Sequence, residues 1–272
     1  MDGTVFHKMS GSGNDFVMLD GRYTRPEPLT AARVQELCDR RLGIGADGLV
    51  LLTPVGDAQV RMDFWNCDGS RADMCGNAAL CSTRLAAYLE MAPAAGMRLV
   101  TRAGTFPARL REGPGEWAEL NLPDFGLPSP PVGLEPGPGE APGSLATVGV
   151  PHLIVEVADL ERPDLMDRGR VLRSHSLLGP AGANVNFVAP APGGNGWCVR
   201  TYERGVEAET LACGTGAVAV AVALMQAGKA KSPVEIVIRS GRSLSITATV
   251  SGGMARSVWL AGEGRLIFTG VL

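Results

Sequence analysis

The sequence is poor in lysine: Lys8, Lys229 and Lys231 are the only three in 272 residues. A Schiff base to pyridoxal phosphate therefore has few candidates, and Lys229 and Lys231 fall in a polar stretch that reads as solvated. No two of the six cysteines (Cys38, Cys67, Cys75, Cys81, Cys198 and Cys213) are spaced Cys-x-x-Cys. That argues against a structural zinc site, and no metal is expected. No apolar run is long enough to span a bilayer. The opening MDGTVFHKMSGSG lacks the basic and apolar regions of a secretory signal. The expectation is a cytoplasmic protein whose thiols stay largely reduced. An excess of basic charge is also missing. The net charge of −3 argues against nucleic acid as a partner.

What is present is apolar bulk. Hydrophobic residues make up 45% of the chain, ample for a core, and the length allows one large domain or two smaller ones. The densest apolar run, Ala217 to Ala227, has no charge and no proline. A helix apolar on all sides is normally buried. Just before it stands Thr210-Leu211-Ala212-Cys213-Gly214-Thr215-Gly216. If the helix starts near Cys213, the amides of Gly214, Thr215 and Gly216 lie at its first turn, where amides and dipole bind anions. The same field lowers a thiol pKa. A lone cysteine before a helix is more often a small core residue, but this motif has a second copy. Asp73-Met74-Cys75-Gly76-Asn77 again places Cys-Gly and a small polar residue before an apolar helical run, which reaches about Met91. The two cysteines are 138 positions apart, about half the chain. That spacing points to two similar halves. Two thiols addressing one carbon suggest proton removal from one face and return to the other.

Along the chain, Val5 to Met9 and Phe16 to Asp20 read as strands around a polar glycine turn that holds Asn14. Asn14 fits either a turn residue or an amide directed at a ligand. Thr30 reads as the N-cap of a helix to about Leu42. Leu49 to Thr53 and Val60 to Trp65 read as strands, and Asn66 opens the loop before Cys75. Arg98 to Leu110 and Glu116 to Leu122 read as strands of a meander. Pro123 to Gly143, with seven prolines and five glycines, reads as an irregular boundary segment. After it, His152 opens an apolar strand and Asn184 another, and Val199 to Tyr202 runs into Glu203-Arg204. Facing a zwitterionic amino acid, Arg204 can grip a carboxylate and Glu203 can accept from an ammonium. Further strands are expected over 233–238, 243–250 and 257–260. A last strand over 265–271 returns to the first half. The expected domains are 1–120, joined by 265–272 and carrying Cys75, and 121–264, carrying Cys213.

The run Lys8-Met9-Ser10-Gly11-Ser12-Gly13-Asn14-Asp15-Phe16, the motifs Gly43 to Gly48, Asn66 to Ser70 and Met74 to Asn77, then Pro151-His152, Asn184, Tyr202 to Gly205 and Glu209 to Gly216 together resemble the diaminopimelate epimerase family. The resemblance covers nearly the whole chain. It implies an α/β (α+β) fold of two pseudo-symmetric halves, each a curved, mostly antiparallel sheet around a central helix, with the active site in the cleft between them. It implies a cofactor-independent isomerase of amino-acid and lysine biosynthesis that interconverts LL- and meso-diaminopimelate. Cys75 and Cys213 would be its two bases. His152, near Cys75, and Glu203, near Cys213, would assist them. Asn14, Asn66, Gly76, Asn77, Asn184, Glu203, Arg204, Gly214 and Thr215 would bind substrate, in a cytoplasmic homodimer. Val150 stands where the family has Asn in a Gly-Asn-Pro-His run. This motivates an alternative substrate: histidine, ornithine or lysine. A third reading, a non-catalytic binding protein on the same fold, sits poorly with two intact Cys-Gly motifs.

Overall fold

The computed structural model describes residues 3–112, 115–194 and 196–272. It divides into two compact units, Met1–Asn121 with Ala261–Leu272, and Leu122–Leu260.

In the first unit, β1 (Val5–Gly11) and β2 (Asn14–Asp20) form an antiparallel hairpin. Helix α1 (Ala31–Cys38) leads to β3 (Gly48–Gly56), parallel to β2. Strand β4 (Gln59–Asn66) runs antiparallel to β3, and β5 (Arg71–Ala72) antiparallel to β4. Helix α2 (Gly76–Tyr88) follows, and β6 (Met97–Thr101) returns parallel to β4. Antiparallel β7 (Gly104–Leu110) and β8 (Trp117–Leu122) end the run.

The second unit opens with the short β9 (Phe125–Gly126) and repeats the plan. Strands β10 (Ser144–Val148) and β11 (Val150–Glu156) are antiparallel. After α3 (Leu165–Arg173), β12 (Asn184–Pro190) lies parallel to β11. Strand β13 (Trp197–Glu203) is antiparallel to β12, and β14 (Ala208–Thr210) antiparallel to β13. Helix α4 (Gly214–Gln226) precedes β15 (Val234–Val237), parallel to β13, and antiparallel β16 (Ser243–Ser251). Strand β17 (Met254–Glu263) pairs with β9 and carries the chain over the unit boundary. Strand β18 (Arg265–Val271) then pairs antiparallel with β1. The order antiparallel, parallel, antiparallel, antiparallel, parallel, antiparallel is thus the same in both units. The two helices before β6 and β15 occupy equivalent places, and each carries one Cys-Gly motif at its start.

Each of these helices packs on the strands of its own unit. Helix α2 touches β1 to β4, β6, β7 and β18, and α4 touches β10 to β12, β15 and β16. Every residue of α4 from Gly216 to Val222 is buried, as an all-apolar helix requires. Each of its three valines in that run contributes about 1.5–3 kcal/mol by leaving water. The opposite sheet faces are covered by the other helices. Val34 and Leu37 of α1 pack with Val17, Leu49 and Trp65. Leu165 and Leu172 of α3 pack with Leu153, Val185, Phe187 and Tyr202.

Thr30 caps α1 as expected, its hydroxyl accepting from the Arg33 N–H at 3.3 Å. The helix stops at Cys38 rather than Leu42, because Asp39 is already extended and turns its carboxylate onto the Arg41 and Leu42 amides. The stretch expected as one strand over 98–110 is a hairpin. The chain reverses at Arg102–Ala103, and Gly104, at φ +136°, supplies a conformation closed to other residues. The proline-rich segment is largely irregular, but Glu140 pins it. Its fully buried carboxylate accepts from Arg168 Nε at 2.9 Å and Nη2 at 2.8 Å, with Arg162 at 3.7 Å. Burial works to raise the pKa of Glu140, but the hydrogen bonds from Arg168 and from the Gly137 amide outweigh it and the net shift is downward. Among the described residues, no helix is long and apolar enough to cross a membrane.

Candidate active site

Cys75 and Cys213 occupy the N-cap positions of α2 and α4, in extended backbone, and both are partly exposed. Neither helix has a side-chain cap. The first intrahelical bonds run from Ala79 N–H to the Cys75 carbonyl (2.9 Å) and from Ala217 N–H to the Cys213 carbonyl (3.0 Å). The amides of Gly76, Asn77 and Ala78, and of Gly214, Thr215 and Gly216, therefore have no partner one turn back in their own helix. Each thiol sits beside three such donors at the positive end of a helix dipole, an arrangement that stabilises thiolate and binds carboxylate.

The remaining residues of the first unit gather at one end of its sheet. Asn14 opens β2, Asn66 closes β4 opposite Gly48, and Asp47 precedes β3. Asn14 Nδ2 donates to Asp47 Oδ2 at 2.9 Å, and Asn77 Nδ2 donates to Asn14 Oδ1 at 2.7 Å. A carboxylate only accepts, so Asp47 sets the sense of both amides. The outcome is that Asn77 Oδ1 is buried with no partner. It is an acceptor ready for an N–H. Asn66 donates from Nδ2 to Ser70 Oγ at 3.0 Å within the turn that follows β4.

Behind this end lies a charged cluster that the sequence reading did not single out. Asp15 accepts from Lys8 at 2.7 Å and from Arg40 at 2.7 and 3.0 Å, and Arg40 also reaches Asp47 at 2.7 Å. Lys8 also donates to the Gly45 carbonyl. Burial works to raise the Asp15 pKa, but the Arg40 and Lys8 hydrogen bonds outweigh it and bring it down to about 2, below its ordinary 3.8. A depressed carboxylate stabilises the fold above its unfolded value and loses that contribution as pH falls through the folded value. Replacing Asp15 with Asn is expected to flatten the decline in stability between about pH 4 and pH 2, measured by urea unfolding at a series of acid pH values. An unchanged acid limb would contradict it.

In the second unit His152, on β11, lies in register with Asn184, the first residue of β12. His152 is fully buried. Its Nε2 lies 3.0 Å from Thr215 Oγ1, and that oxygen lies 3.9 Å from Cys213 Sγ. Within this unit the histidine therefore reaches Cys213 through Thr215. Burial and, secondarily, Arg204 push the imidazole pKa down to about 3, so it is neutral at ordinary pH. Asn184 Oδ1 accepts the Arg204 backbone N–H at 2.8 Å, which leaves its NH2 as the donor. Glu203 ends β13. Burial raises its pKa, and the Thr210 hydroxyl opposes this in part. The neighbouring acid in the turn, Glu207, instead pairs with Arg173 at 2.9 Å. Lys229, read as solvated, pairs with Glu156. Val150 opens β11 as Asn14 opens β2, so the apolar side chain takes the place that in the first unit holds an amide. Among the described residues, no cluster of three or more His, Cys, Asp or Glu could hold a metal ion.

Cys38, Cys67, Cys81 and Cys198 carry thiols outside this constellation. Burial raises the pKa of Cys38 to about 12 and that of Cys81 well above the ordinary range, which makes both poor nucleophiles.

The family model for diaminopimelate epimerase matches residues 6–115 and 144–258. The chain is 43% identical to the diaminopimelate epimerase of Gemmatimonas aurantiaca, over 97% of this chain and 98% of that protein. It is 38% identical to that of Aquifex aeolicus, over 98% and 97%. Among solved structures, a phenazine biosynthesis protein of the PhzF family from Bacillus anthracis superposes with a TM-score of 0.75 at 14% identity, covering 100% of this chain and 99% of its own. A hydroxyproline epimerase from Agrobacterium vitis gives 0.65 at 20%, covering 98% and 91%. These two show the same fold of two pseudo-symmetric halves. The match in sequence over both halves, with the paired Cys-Gly helices in place, shows that the chain belongs to the diaminopimelate epimerase family.

Proposed function

We propose that the protein is a cofactor-independent epimerase of LL- and meso-diaminopimelate in which Cys75 and Cys213 are the two bases, one from each unit. The observation that carries this reading is the repeat itself. Two similar units each place one cysteine at the uncapped start of an apolar helix. An amino-acid α-hydrogen is weakly acidic, and no electron sink is required if the carboxylate charge that develops is met by fixed donors. One such donor is worth about 3–4 kcal/mol. The thiolate of one cysteine takes the α-proton, and the thiol of the other delivers a proton to the opposite face. The pair then carries the reverse distribution and serves the reverse reaction. Glu203 and Asn77 Oδ1 are suited to an ammonium and Arg204 to a carboxylate, and Glu203 and His152 tune the thiols. The same reading makes the protein a cytoplasmic homodimer with no nucleic-acid partner. It is supported by the family resemblance and the net charge of −3, and sedimentation velocity reads the mass.

The test is proton NMR of LL-diaminopimelate with reduced protein in deuterated buffer and no added cofactor. Loss of the α-proton signal with appearance of the meso isomer is expected. Histidine, ornithine and lysine run in parallel. Exchange with one of these and none with diaminopimelate would overturn the substrate and make Val150 the residue that selects it.

A further inference from the structure

Asn186 is fully buried on β12, two residues after Asn184 and on the same face of the strand. It lies against the first turn of α4. A Cβ on Gly216 would stand 2.3 Å from Asn186 Oδ1 and 3.1 Å from Cys213 Sγ, so only glycine fits there. Several groups converge on the amide of Asn186. Thr201 Oγ1 donates to Oδ1 at 3.0 Å. Nδ2 lies 3.2 Å from the Leu153 carbonyl, 3.5 Å from the Asn184 carbonyl and 3.3 Å from His152 Nδ1. Carbonyl oxygens only accept, so Nδ2 is the atom that faces them, and the amide has one orientation. Nδ2 only donates, so His152 Nδ1 accepts and the imidazole proton sits on Nε2. Nε2–H then donates to Thr215 Oγ1. The proton of the Thr215 hydroxyl is left for Cys213 Sγ, 3.9 Å away.

We propose that Asn186 is a positioning residue: it holds His152 in the Nε2–H tautomer, which turns the Thr215 hydroxyl proton toward Cys213 and favours thiolate there. The proposal rests on the reading of Cys213 as a base. No proton leaves the chain of bonds; it passes on orientation only. Because the imidazole stays neutral, the sense of the chain does not reverse at working pH. The first unit holds a chain that ends at the equivalent position, made of other residues and with its donors running away from the helix. There Asp47 before β3 orients Asn14 on β2, and Asn14 orients Asn77, two residues after the cysteine. In the second unit Asn186 on β12 orients His152 on β11, and His152 orients Thr215, also two residues after the cysteine.

The experiment reads the imidazole directly. The protein has three histidines, and His7→Gln with His175→Gln leaves His152 alone. In substrate-free, ring-15N-labelled protein, His152 is expected to show the Nε2–H pattern without titrating between pH 5.5 and 9. In Asn186→Asp the carboxylate faces Nδ1 and draws the proton there. The pattern should move to Nδ1–H or to the doubly protonated ring. The value of kcat should fall about 10- to 100-fold, with KM within about twofold. An Nδ1–H tautomer in the parent protein overturns the proposal, as does a switched tautomer with unchanged kcat. If Asn186→Asp does not fold, Thr215→Val tests the last link. In a Cys75→Ser background, the pH dependence of Cys213 alkylation, followed by mass spectrometry of its peptide, should move up by about one pH unit, a tenfold loss of thiolate near neutrality. Thr215→Ser should restore it. An unmoved profile overturns the proposal. The NMR and alkylation arms use no substrate, so they stand if diaminopimelate proves to be the wrong one. Their failure alongside intact epimerisation removes only the positioning role.

Discussion

Cys75→Ser and Cys213→Ser are each expected to lower turnover about 10²- to 10⁴-fold while the protein melts at the same temperature or higher. The two halves of this result come from one feature. Both cysteines stand at helix N-caps whose first-turn amides have no side-chain cap. Serine is among the best N-cap residues, and its hydroxyl can accept from the open amides there. The substitution therefore suits the helix and removes the chemistry. A thiol with a pKa of about 8.5 leaves a few per cent thiolate at neutral pH, and a helix N-terminus raises that share. A serine hydroxyl does not ionise in this range. Because inversion needs both groups, the double variant should lose little more than either single one, as is usual for residues that act as a unit. Turnover of LL-diaminopimelate and a thermal melt on the same samples decide the matter. A near-parental rate in either single variant would rule out the two-base mechanism.

Phe187→Ala is expected to cost about 3–5 kcal/mol, the largest stability loss among single changes near the site. Phe187 is fully buried on β12 and packs with Leu153, Val185, Leu165, Leu172 and Tyr202 beneath α3. Its neighbour Asn186 points to the opposite face of the strand, toward α4. Truncation at 187 thus opens a cavity on one side of β12 and leaves the hydrogen bonds on the other. In urea the midpoint should fall with little change in slope. At temperatures where the variant is folded, kcat should stay within a few-fold of the parent. A loss of kcat as large as that from Asn186→Asp would mean that the α3 core and the α4 face of this strand are not independent.

The parts of this fold that were legible in the sequence are those written in local chemistry. The all-apolar run after Cys213 could only be a buried helix, and Thr30 announced the start of α1. Helix α3 was not legible. Its buried positions are Leu165, Gly169 and Leu172, a helical spacing whose middle member has no side chain to register as apolar. Glycine is required there because a Cβ would lie 2.8 Å from Tyr202 Cβ, so tertiary packing removed the signal. The cysteines, His152, Glu203 and the asparagines were singled out as candidates from motifs and family resemblance. Asp47, Asn186 and Thr201 were not, because they act through partners 15 to 34 residues away in the chain. One clue was present: Asn184 and Asn186 alternate with apolar residues in a strand that is otherwise core. Two amides on one buried face require partners, and these are His152, Thr201 and the backbone of Leu153 and Arg204.

The pairing of β18 with β1 has a consequence for how the protein is made. Val5 lies opposite Val271, and the Gly3 and Thr4 backbone brackets Leu272 with hydrogen bonds of 2.9 Å. Strand β1 pairs at once with β2, but its other edge waits for a partner some 260 residues downstream. At about 5–20 residues per second this is roughly 10–50 s. The unit encoded between them, Leu122–Leu260, has all of its residues available sooner. The order of completion is thus the reverse of the order of synthesis: of the two units, the one started earlier is finished later. Until then β1 offers an unpaired edge, the kind of surface on which nascent chains mispair and chaperones act.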